Sequence, residues 1–256
     1  MPNWINAEVV NKKVWTEGLF TIRIRADGVQ PFKPGQFLHL AMPENPGDDL
    51  VADESKRINR PYSVASPHGA EIEFFIVVVP EGKLTPKLWD LKVGDQLEVS
   101  DAGSGRFTLE KSPPAKSLWL VATGTGLAPY IAMLRTEEPW SSYEKIIVVH
   151  GVRFAADLAY TEELKAYEDR YPGRFYLVQS LTRETADGVL HGRIPQLFEN
   201  REVESETGID CMADDSTVLL CGNPAMLDSM EEVLARRDMK KHRSKSPGQI
   251  VLERYW

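Results

Sequence analysis

The chain has 256 residues with a formal net charge of −8, and 42% of the residues are hydrophobic. This length favours two compact domains of roughly 100–200 residues each, and the apolar content excludes wholesale disorder. Two cysteines are too few for a disulfide scaffold, a four-cysteine zinc site or an iron–sulfur cluster, and the net acidity disfavours nucleic-acid binding.

The N-terminal segment shows no targeting signal. Residues 1–15 contain neither an apolar stretch of signal-peptide length nor a small-residue cleavage site. The most apolar run, Phe74 to Val79, is too short to span a bilayer. We therefore expect a cytoplasmic protein with no membrane span. We also expect a monomer and no bound metal.

The first half of the chain, up to about Glu110, has the pattern of short strands. Segments such as Gln36–Leu40, Glu71–Val79 and Gln96–Val99 are strand-length runs separated by turn residues, and helical periodicity is almost absent. This pattern is typical of an antiparallel sandwich or barrel, and a small antiparallel β-barrel is the fold we predict here.

A linker at Lys111-Ser112-Pro113-Pro114 divides the chain, because paired prolines continue neither a helix nor a central strand. The predicted domains are residues 1–112 and residues 115–256. In the second domain, apolar strand-like runs alternate with helical segments. The five expected strands are Leu118–Ala122, Ile146–His150, Phe175–Gln179, Val218–Cys221 and Ile250–Tyr255. This alternation predicts a Rossmann-like α/β domain with a parallel five-stranded sheet.

A glycine-rich segment, Ala122 to Pro129, follows the first of these strands and opens the first helix. Its central residues are Thr123, Gly124, Thr125 and Gly126. Glycines at such a turn let a phosphate approach the backbone, and the helix N-terminus supplies N–H groups. The dinucleotide fingerprint is only partly met, because Pro129 takes the place of its last glycine. A tight turn whose glycines serve packing is the alternative.

The segment Cys221-Gly222-Asn223-Pro224 ends the fourth strand of this domain. Asn223 suits a helix N-cap, and Pro224 suits the first helical position. If the strand order is 3-2-1-4-5, strands 1 and 4 are neighbours, and we expect Gly124 and Cys221 to line one crevice at the topological switch point. The simpler interpretation of Cys221 is a buried small apolar residue.

Three arginines are candidates for binding the 2′-phosphate of NADP. Arg153 follows Val152 at the end of the second strand, Arg183 follows Thr182, and Arg193 comes later. Guanidinium groups bind phosphate in bidentate geometry, whereas a site for NAD usually has an acidic residue near the second strand. Any one of the three, taken alone, is more simply a solvated surface arginine.

Several short motifs occur together in the sequence. They are Arg60-Pro61-Tyr62-Ser63, Gly82-Lys83-Leu84-Thr85-Pro86, Thr123-Gly124-Thr125-Gly126, Cys221-Gly222-Asn223-Pro224 and the terminal Tyr255-Trp256. With these motifs in this order along the whole chain, the sequence resembles ferredoxin–NADP(H) reductases. It is most similar to the bacterial ferredoxin/flavodoxin–NADP reductases.

This resemblance implies that the barrel binds FAD and that the α/β domain binds NADP(H). It implies that Ser63 hydrogen-bonds near flavin N5, Cys221 borders the nicotinamide and Tyr255 covers one flavin face; these three are the catalytic candidates. The implied FAD-binding residues are Arg60, Pro61, Tyr62, Ser63, Ile76, Lys83, Leu84, Thr85, Thr125, Tyr255 and Trp256. The implied NADP-binding residues are Thr123, Gly124, Thr125, Gly126, Val152, Arg153, Thr182, Arg183, Arg193, Gly222 and Asn223. A frayed tail is the alternative for the last two residues.

Two segments match no motif of the family. Glu202 to Ser216 is acidic and polar, and we expect a surface loop there. A basic run near the C-terminus is either a solvated helix end or a docking patch for an acidic ferredoxin or flavodoxin. Its members are Arg236, Arg237, Lys240, Lys241, Arg243 and Lys245.

The resemblance implies an FAD-dependent ferredoxin/flavodoxin–NADP+ oxidoreductase. In such an enzyme hydride passes between NADP(H) and flavin N5, and single electrons pass between the flavin and the carrier protein. The alternatives are a free-flavin or oxygenase reductase on the same scaffold and a flavin-binding electron-transfer subunit without catalysis. The second needs no site for a 2′-phosphate, so the three arginines count against it.

Overall fold

The computed structural model describes residues 3–45, 47–48 and 54–254. The chain forms two compact units. The first unit comprises Met1–Thr108 together with Ala128–Arg135, and the second comprises Leu109–Leu127 together with Thr136–Trp256. A short 3-10 helix, Leu109–Lys111, precedes the two prolines of the linker, and Pro113 accepts a 2.8 Å hydrogen bond from the Thr217 hydroxyl. The domain limits 1–112 and 115–256 stay a prediction.

The first unit contains a six-stranded antiparallel sheet in the order β4-β3-β6-β1-β2-β5. Its strands are β1 (Trp4–Thr16), β2 (Leu19–Arg25), β3 (Phe37–Pro43), β4 (Arg57–Ser63), β5 (Glu71–Val77) and β6 (Gln96–Ser100). An isolated bridge between Val64 and Phe74 links the two edges. The sheet is therefore barrel-like. Its two edge strands are joined by one bridge and not by a full ladder of hydrogen bonds.

The interior of this unit follows from period-2 alternation along its strands. Phe20, Ile22 and Ile24 of β2 and Leu38 and Leu40 of β3 are fully buried in one hydrophobic cluster. Helix α1 (Thr85–Asp90) lies between β5 and β6 in the chain, and helix α2 (Ala128–Leu134) also belongs to this unit. Each buried large side chain of this kind contributes about 1.5–3 kcal/mol.

A buried carboxylate ties β5 to the residue that follows α2. The Glu73 side chain is only 3% exposed, and its two oxygens lie 2.7 Å from Arg23 Nη2 and 3.1 Å from Arg135 Nη1. Arg135 also donates a 2.8 Å hydrogen bond to the carbonyl oxygen of Ala65. Because a buried charge is tolerated only when it is paired and hydrogen-bonded, this arrangement fixes the end of α2 in the first unit.

The second unit contains a six-stranded parallel sheet in the order β10-β9-β8-β7-β11-β12. Its strands are β7 (Ser117–Thr123), β8 (Lys145–Val152), β9 (Phe175–Leu181), β10 (Leu190–His191), β11 (Ser216–Gly222) and β12 (Ile250–Arg254). The predicted order 3-2-1-4-5 is confirmed for β9, β8, β7, β11 and β12. The predicted number of five strands is wrong by one, because two residues are too few for β10 to show an apolar pattern.

The remaining helices belong to the second unit. For the last of them, the sequence predicted both the N-cap residue and the buried face. They are α3 (Glu138–Ser142), α4 (Thr161–Arg170), α5 (Ile194–Glu199), α6 (Glu202–Thr207) and α7 (Pro224–Ala235). In α7, Asn223 is the N-cap and its side-chain oxygen accepts a 2.9 Å hydrogen bond from the Ala225 N–H. Met226, Met230 and Leu234 are buried along one face, as their spacing predicts.

The expectation of a surface loop from Glu202 to Ser216 is wrong. Residues 202–207 form helix α6, and Val203 and Cys211 are buried in the hydrophobic cluster of the second unit. The acidic appearance of the segment conceals a buried ion pair, because Glu204 is only 4% exposed and pairs with Arg237. Composition alone does not reveal this, since the partner lies far along the chain.

Candidate functional site

The loops that follow β7 and β11 meet at the carboxyl edge of the parallel sheet. These two strands are neighbours, with Cys221 of β11 opposite Ala122 of β7. A 3-10 turn, Gly124–Leu127, begins directly after β7. The hydroxyl of Thr123 accepts a 2.9 Å hydrogen bond from the backbone N–H of Asn223, so the two loops are joined. This is the topological switch point, where open α/β sheets bind ligands.

The glycines of these two loops serve two different structural purposes. A Cβ at Gly126 would lie 2.4 Å from the carbonyl oxygen of Cys221, and one at Gly222 would lie 2.3 Å from the Thr123 hydroxyl. Both residues therefore serve close packing of the loops. Gly124 has φ +53°, and a Cβ there would meet nothing within 4 Å. The side of Gly124 on which a Cβ would lie is therefore open, so the backbone can be approached closely from that side.

A histidine that belongs to none of the predicted sites lies beside this loop. His150 is completely buried near the end of β8, and its Nε2 is 3.0 Å from the carbonyl oxygen of Gly124. Burial lowers the pKa of this imidazole from 6.5 to about 4, so the ring is neutral at pH 7. The one signal in the sequence is a polar residue that interrupts an apolar strand just before Gly151.

The three candidate arginines follow the ends of three adjacent strands. The N–H of Thr182 donates to the carbonyl of Val152 at 3.1 Å, and the N–H of Arg183 donates to the carbonyl of Arg153 at 3.1 Å. Gly192, just before Arg193, donates to Leu181 at 2.9 Å. The backbone thus brings the ends of β8, β9 and β10 together.

All three arginines are exposed, and none forms an ion pair within the described part of the chain. The nearby carboxylate of Glu184 is bonded to the backbone N–H of Ala155. Three unpaired guanidinium groups at one sheet edge form a surface suited to an anion.

In the first unit, the Arg60–Ser63 motif forms the last residues of β4. Alternation along the strand places Arg60 and Tyr62 on one face and Ser63 on the other. Arg60 is exposed, and its guanidinium donates a 2.7 Å hydrogen bond to the carbonyl of Asn59. Burial raises the pKa of the Tyr62 hydroxyl, and the positive charge of Arg60 partly opposes that shift.

The Gly82–Pro86 motif forms a tight turn that leads into α1. The N–H of Gly82 donates to the carbonyl of Val79 at 2.8 Å, and the Thr85 hydroxyl accepts a 2.9 Å hydrogen bond from the Val79 N–H. A Cβ on Gly82 would lie 3.0 Å from the Val79 carbonyl oxygen, so the turn closes best with glycine. Lys83 is exposed and pairs with Glu44 at 2.8 Å.

Comparison with known proteins gives full-length matches. Flavodoxin/ferredoxin–NADP reductase of Escherichia coli is 37% identical over 258 residues, with 100% of both chains covered. Ferredoxin–NADP reductase of Pseudomonas aeruginosa is 32% identical and covers 99% of this chain and 98% of its own. The chain belongs to the ferredoxin/flavodoxin–NADP reductase family.

A family model and a solved structure agree with this membership. Residues 120–232 match the family model described as the oxidoreductase NAD-binding domain. A crystal structure of a ferredoxin NADP+ reductase from Neisseria gonorrhoeae, with bound FAD and NADP, has a TM-score of 0.89 and 26% identity, and the match covers 98% of each chain. The predicted family, two-domain fold and oxidoreductase class are confirmed.

Several residues of the predicted sites are buried. Ile76 and Cys221 are 1% and 0% exposed, and Leu84, before α1, is 2% exposed. Ser63 is also buried, and Pro61 is exposed beside it. Tyr255 and Trp256 lie outside the described residues. No described helix has the length and hydropathy needed to cross a membrane.

The lowered pKa of His150 predicts a pH dependence of stability. Below pH 6.5 the unfolded chain takes up a proton that the folded ring does not accept until about pH 4. The contribution of His150 to the free energy of unfolding is therefore fully present above pH 6.5 and decreases by about 3 kcal/mol as the pH falls to 4. Glutamine cannot titrate. We therefore expect the free energy of unfolding of His150→Gln to depend less steeply on pH between 6.5 and 4 than that of the wild type.

Urea unfolding of the wild type and of this variant between pH 7.5 and pH 4.5 measures the difference. If the free energies of unfolding of the wild type and the variant change in parallel with pH over that range, the assignment of a neutral, buried His150 is contradicted.

Proposed function

We propose that this protein transfers electrons between NADP(H) and a one-electron carrier of the ferredoxin or flavodoxin type, with FAD as its cofactor. The single observation that carries the proposal is full-length membership of a family whose named members perform this reaction. When bound, NADPH supplies a hydride, and the flavin accepts it and delivers single electrons. The cytoplasmic location and the monomeric state stay predictions from the sequence.

In the second unit, we assign the loops after β7 and β11 to the coenzyme. Gly124 presents open backbone beside Thr125, and Thr123 and Asn223 fix the two loops to each other. Gly126 and Gly222 keep the loops in contact. Arg153, Arg183 and Arg193 supply positive charge at the ends of β8, β9 and β10, where a 2′-phosphate is to be bound.

In the first unit, we assign β4 and the turn before α1 to FAD. Arg60 is an exposed cation for the flavin phosphates, and the half-buried ring of Tyr62 is a surface for stacking. The backbone of Lys83, Leu84 and Thr85 leads into α1, whose first N–H groups have no acceptor inside the helix. Ser63, Ile76 and Pro61 complete the part of the proposed flavin site that the first unit supplies. The flavin roles of Thr125, Tyr255 and Trp256 stay predictions from the resemblance.

Purified protein tests this function directly. We expect a yellow protein with about one FAD per chain, which reduces ferricyanide with NADPH and then reduces ferredoxin or flavodoxin. A yellow protein that is inactive with NADPH would indicate a non-catalytic flavin subunit. A protein that reduces free flavins but no carrier protein would indicate the free-flavin reductase.

Replacement of Arg183 and Arg193 by alanine tests the phosphate site. Each charge-assisted hydrogen bond contributes about 1.5–3 kcal/mol, and the lower limit applies to exposed side chains. The loss of two such bonds is therefore expected to raise the KM for NADPH about 150-fold. The KM for NADH should stay within about twofold, because NADH has no 2′-phosphate.

Arg201→Ala with Arg236→Ala is the matched control. Both arginines are exposed, but they already pair with Asp210 and Glu199. Full retention of the NADPH preference in the first double variant, or its equal loss in the control, would refute the assignment.

The candidate docking patch near the C-terminus divides into paired and unpaired cations. Arg236 pairs with Glu199, Arg237 with Glu204, and Lys241 with Glu231. Arg237 is also largely buried, because its side chain is 14% exposed. These three residues have partners already and offer little to a carrier protein.

The other three members, Lys240, Arg243 and Lys245, are exposed and form no ion pair with any described residue. Arg243 and Ser246 exchange backbone hydrogen bonds of 3.0 and 2.9 Å, so Lys245 lies in a two-residue turn. We propose that this turn, together with Lys240, is the part of the basic run that an acidic carrier contacts.

Charge reversal at the turn tests the patch. We expect Arg243→Glu with Lys245→Glu to raise the KM for the carrier about tenfold at low salt and less at high salt, because exposed charges are screened. NADPH–ferricyanide activity should be unchanged. Lys116→Glu with Lys165→Glu reverses two exposed charges elsewhere in the second unit. An equal effect of both pairs would show that only the overall charge matters.

A further inference from the structure

His150 interrupts an otherwise apolar strand. Among the described residues, the one polar contact of its side chain is with Gly124, at the start of the turn Gly124–Leu127. The strand β8 reads Lys-Ile-Ile-Val-Val-His-Gly-Val, and its residues from Ile146 to Val152 are buried. A carbonyl oxygen accepts hydrogen bonds but cannot donate them. The ring nitrogen Nε2, 3.0 Å from the Gly124 oxygen, therefore carries the hydrogen.

The opposite nitrogen, Nδ1, is buried and has no hydrogen-bond partner among the described residues. A buried polar atom without a partner destabilises a fold, and a valine or isoleucine at this position of the strand would avoid that penalty. Departures from local stability rules of this kind concentrate at functional sites. The ring is therefore present for its contact with Gly124 rather than for packing.

That contact controls the direction of a peptide group. In a trans peptide the C=O of one residue and the N–H of the next point in opposite directions. The bond from His150 holds the Gly124 oxygen towards the buried strand, so the N–H of Thr125 points away from it. Gly124 itself has φ +53°, and open space lies where its Cβ would be.

A residue with left-handed backbone next to right-handed ones turns successive N–H groups towards one concave surface, which binds anions. Gly124, the first residue of the 3-10 turn, has a positive φ, and the other residues of the turn do not. The orientation of the Gly124–Thr125 peptide decides whether the concave surface is formed. A histidine that fixes the orientation of this peptide affects ligand binding without contacting the ligand.

We propose that His150 is a positioning residue, which orients the Gly124–Thr125 peptide so that the loop presents its N–H groups to the diphosphate of the nicotinamide coenzyme. This inference rests on the proposed function, because it assigns a role within the coenzyme site. It differs from the arginine assignment in one measurable respect. The diphosphate is common to NADPH and NADH, whereas the 2′-phosphate is not.

Three variants of the full-length protein with bound FAD test the proposal. His150→Leu removes the donor and keeps the volume similar, and His150→Gln restores an N–H at a similar reach. Gln179→Leu is the matched control, because Gln179 lies opposite His150 in the sheet, is 8% exposed and donates a 2.9 Å hydrogen bond to Thr161 instead. The KM and kcat for NADPH and for NADH are measured with ferricyanide.

We expect His150→Leu to raise the KM for NADPH and for NADH by the same factor, about tenfold, which is the effect of one hydrogen bond. kcat at saturating coenzyme and the FAD content should stay within about twofold of the wild type. His150→Gln should return both KM values to within about threefold of the wild type, and Gln179→Leu should change neither.

Unchanged KM values in His150→Leu, an effect on NADPH alone, or no rescue by glutamine would overturn the proposal. If the wild type neither binds NADP+ nor oxidises NADPH, the proposed function has failed instead.

A second measurement uses only the wild-type protein, so it does not depend on whether a variant folds. In wild-type protein labelled with ¹⁵N-histidine, we expect His150 to show a hydrogen on Nε2 and none on Nδ1, and its Nε2–H signal to shift when NADP+ is added. The opposite tautomer, or a signal that NADP+ leaves unmoved, would also overturn the proposal.

Discussion

The loops after β7 and β11 lie in backbone contact, and no side-chain carbon fits between them at Gly126 or Gly222. The arrangement of the proposed coenzyme site in the second unit depends on this close contact between the two loops. It lets the Thr123 hydroxyl accept a hydrogen bond from the N–H of Asn223, and Asn223 in turn caps α7. With both loops held in this way, the conformation of Gly124 can serve a ligand rather than the fold.

Charge is used in two distinct ways in this protein. Glu73 and Glu204 are buried carboxylates, and each is held by arginine side chains, because an unpaired charge in the interior is strongly destabilising. Arg153, Arg183 and Arg193 are exposed cations that have no carboxylate partner in the described chain. Exposed, unpaired cations can bind an anion without first breaking an ion pair, so the pairing state of an arginine indicates its role better than its exposure does.

Local rules predicted much of the fold correctly. The parallel second sheet follows from the alternation of apolar runs and helices, and the N-cap role of Asn223 follows from its position before Pro224. Strand β10 and helix α6 were missed for a common reason. Both are short, and the apolar residues of α6 are outnumbered by acidic ones, of which Glu204 is buried only because Arg237 approaches it from more than thirty positions away.

The sequence by itself determined the family, the two-domain plan and the parallel character of the second sheet, because these depend on periodicity and on short motifs. It also predicted the segments that we assign to the coenzyme and to the flavin. Only the tertiary structure decided which glycine packs and which one faces open space, which arginines are paired, and that His150 reaches Gly124. The physical reason is that each of these properties depends on an atom contributed by a different strand or loop. Such a contact leaves no pattern along the chain.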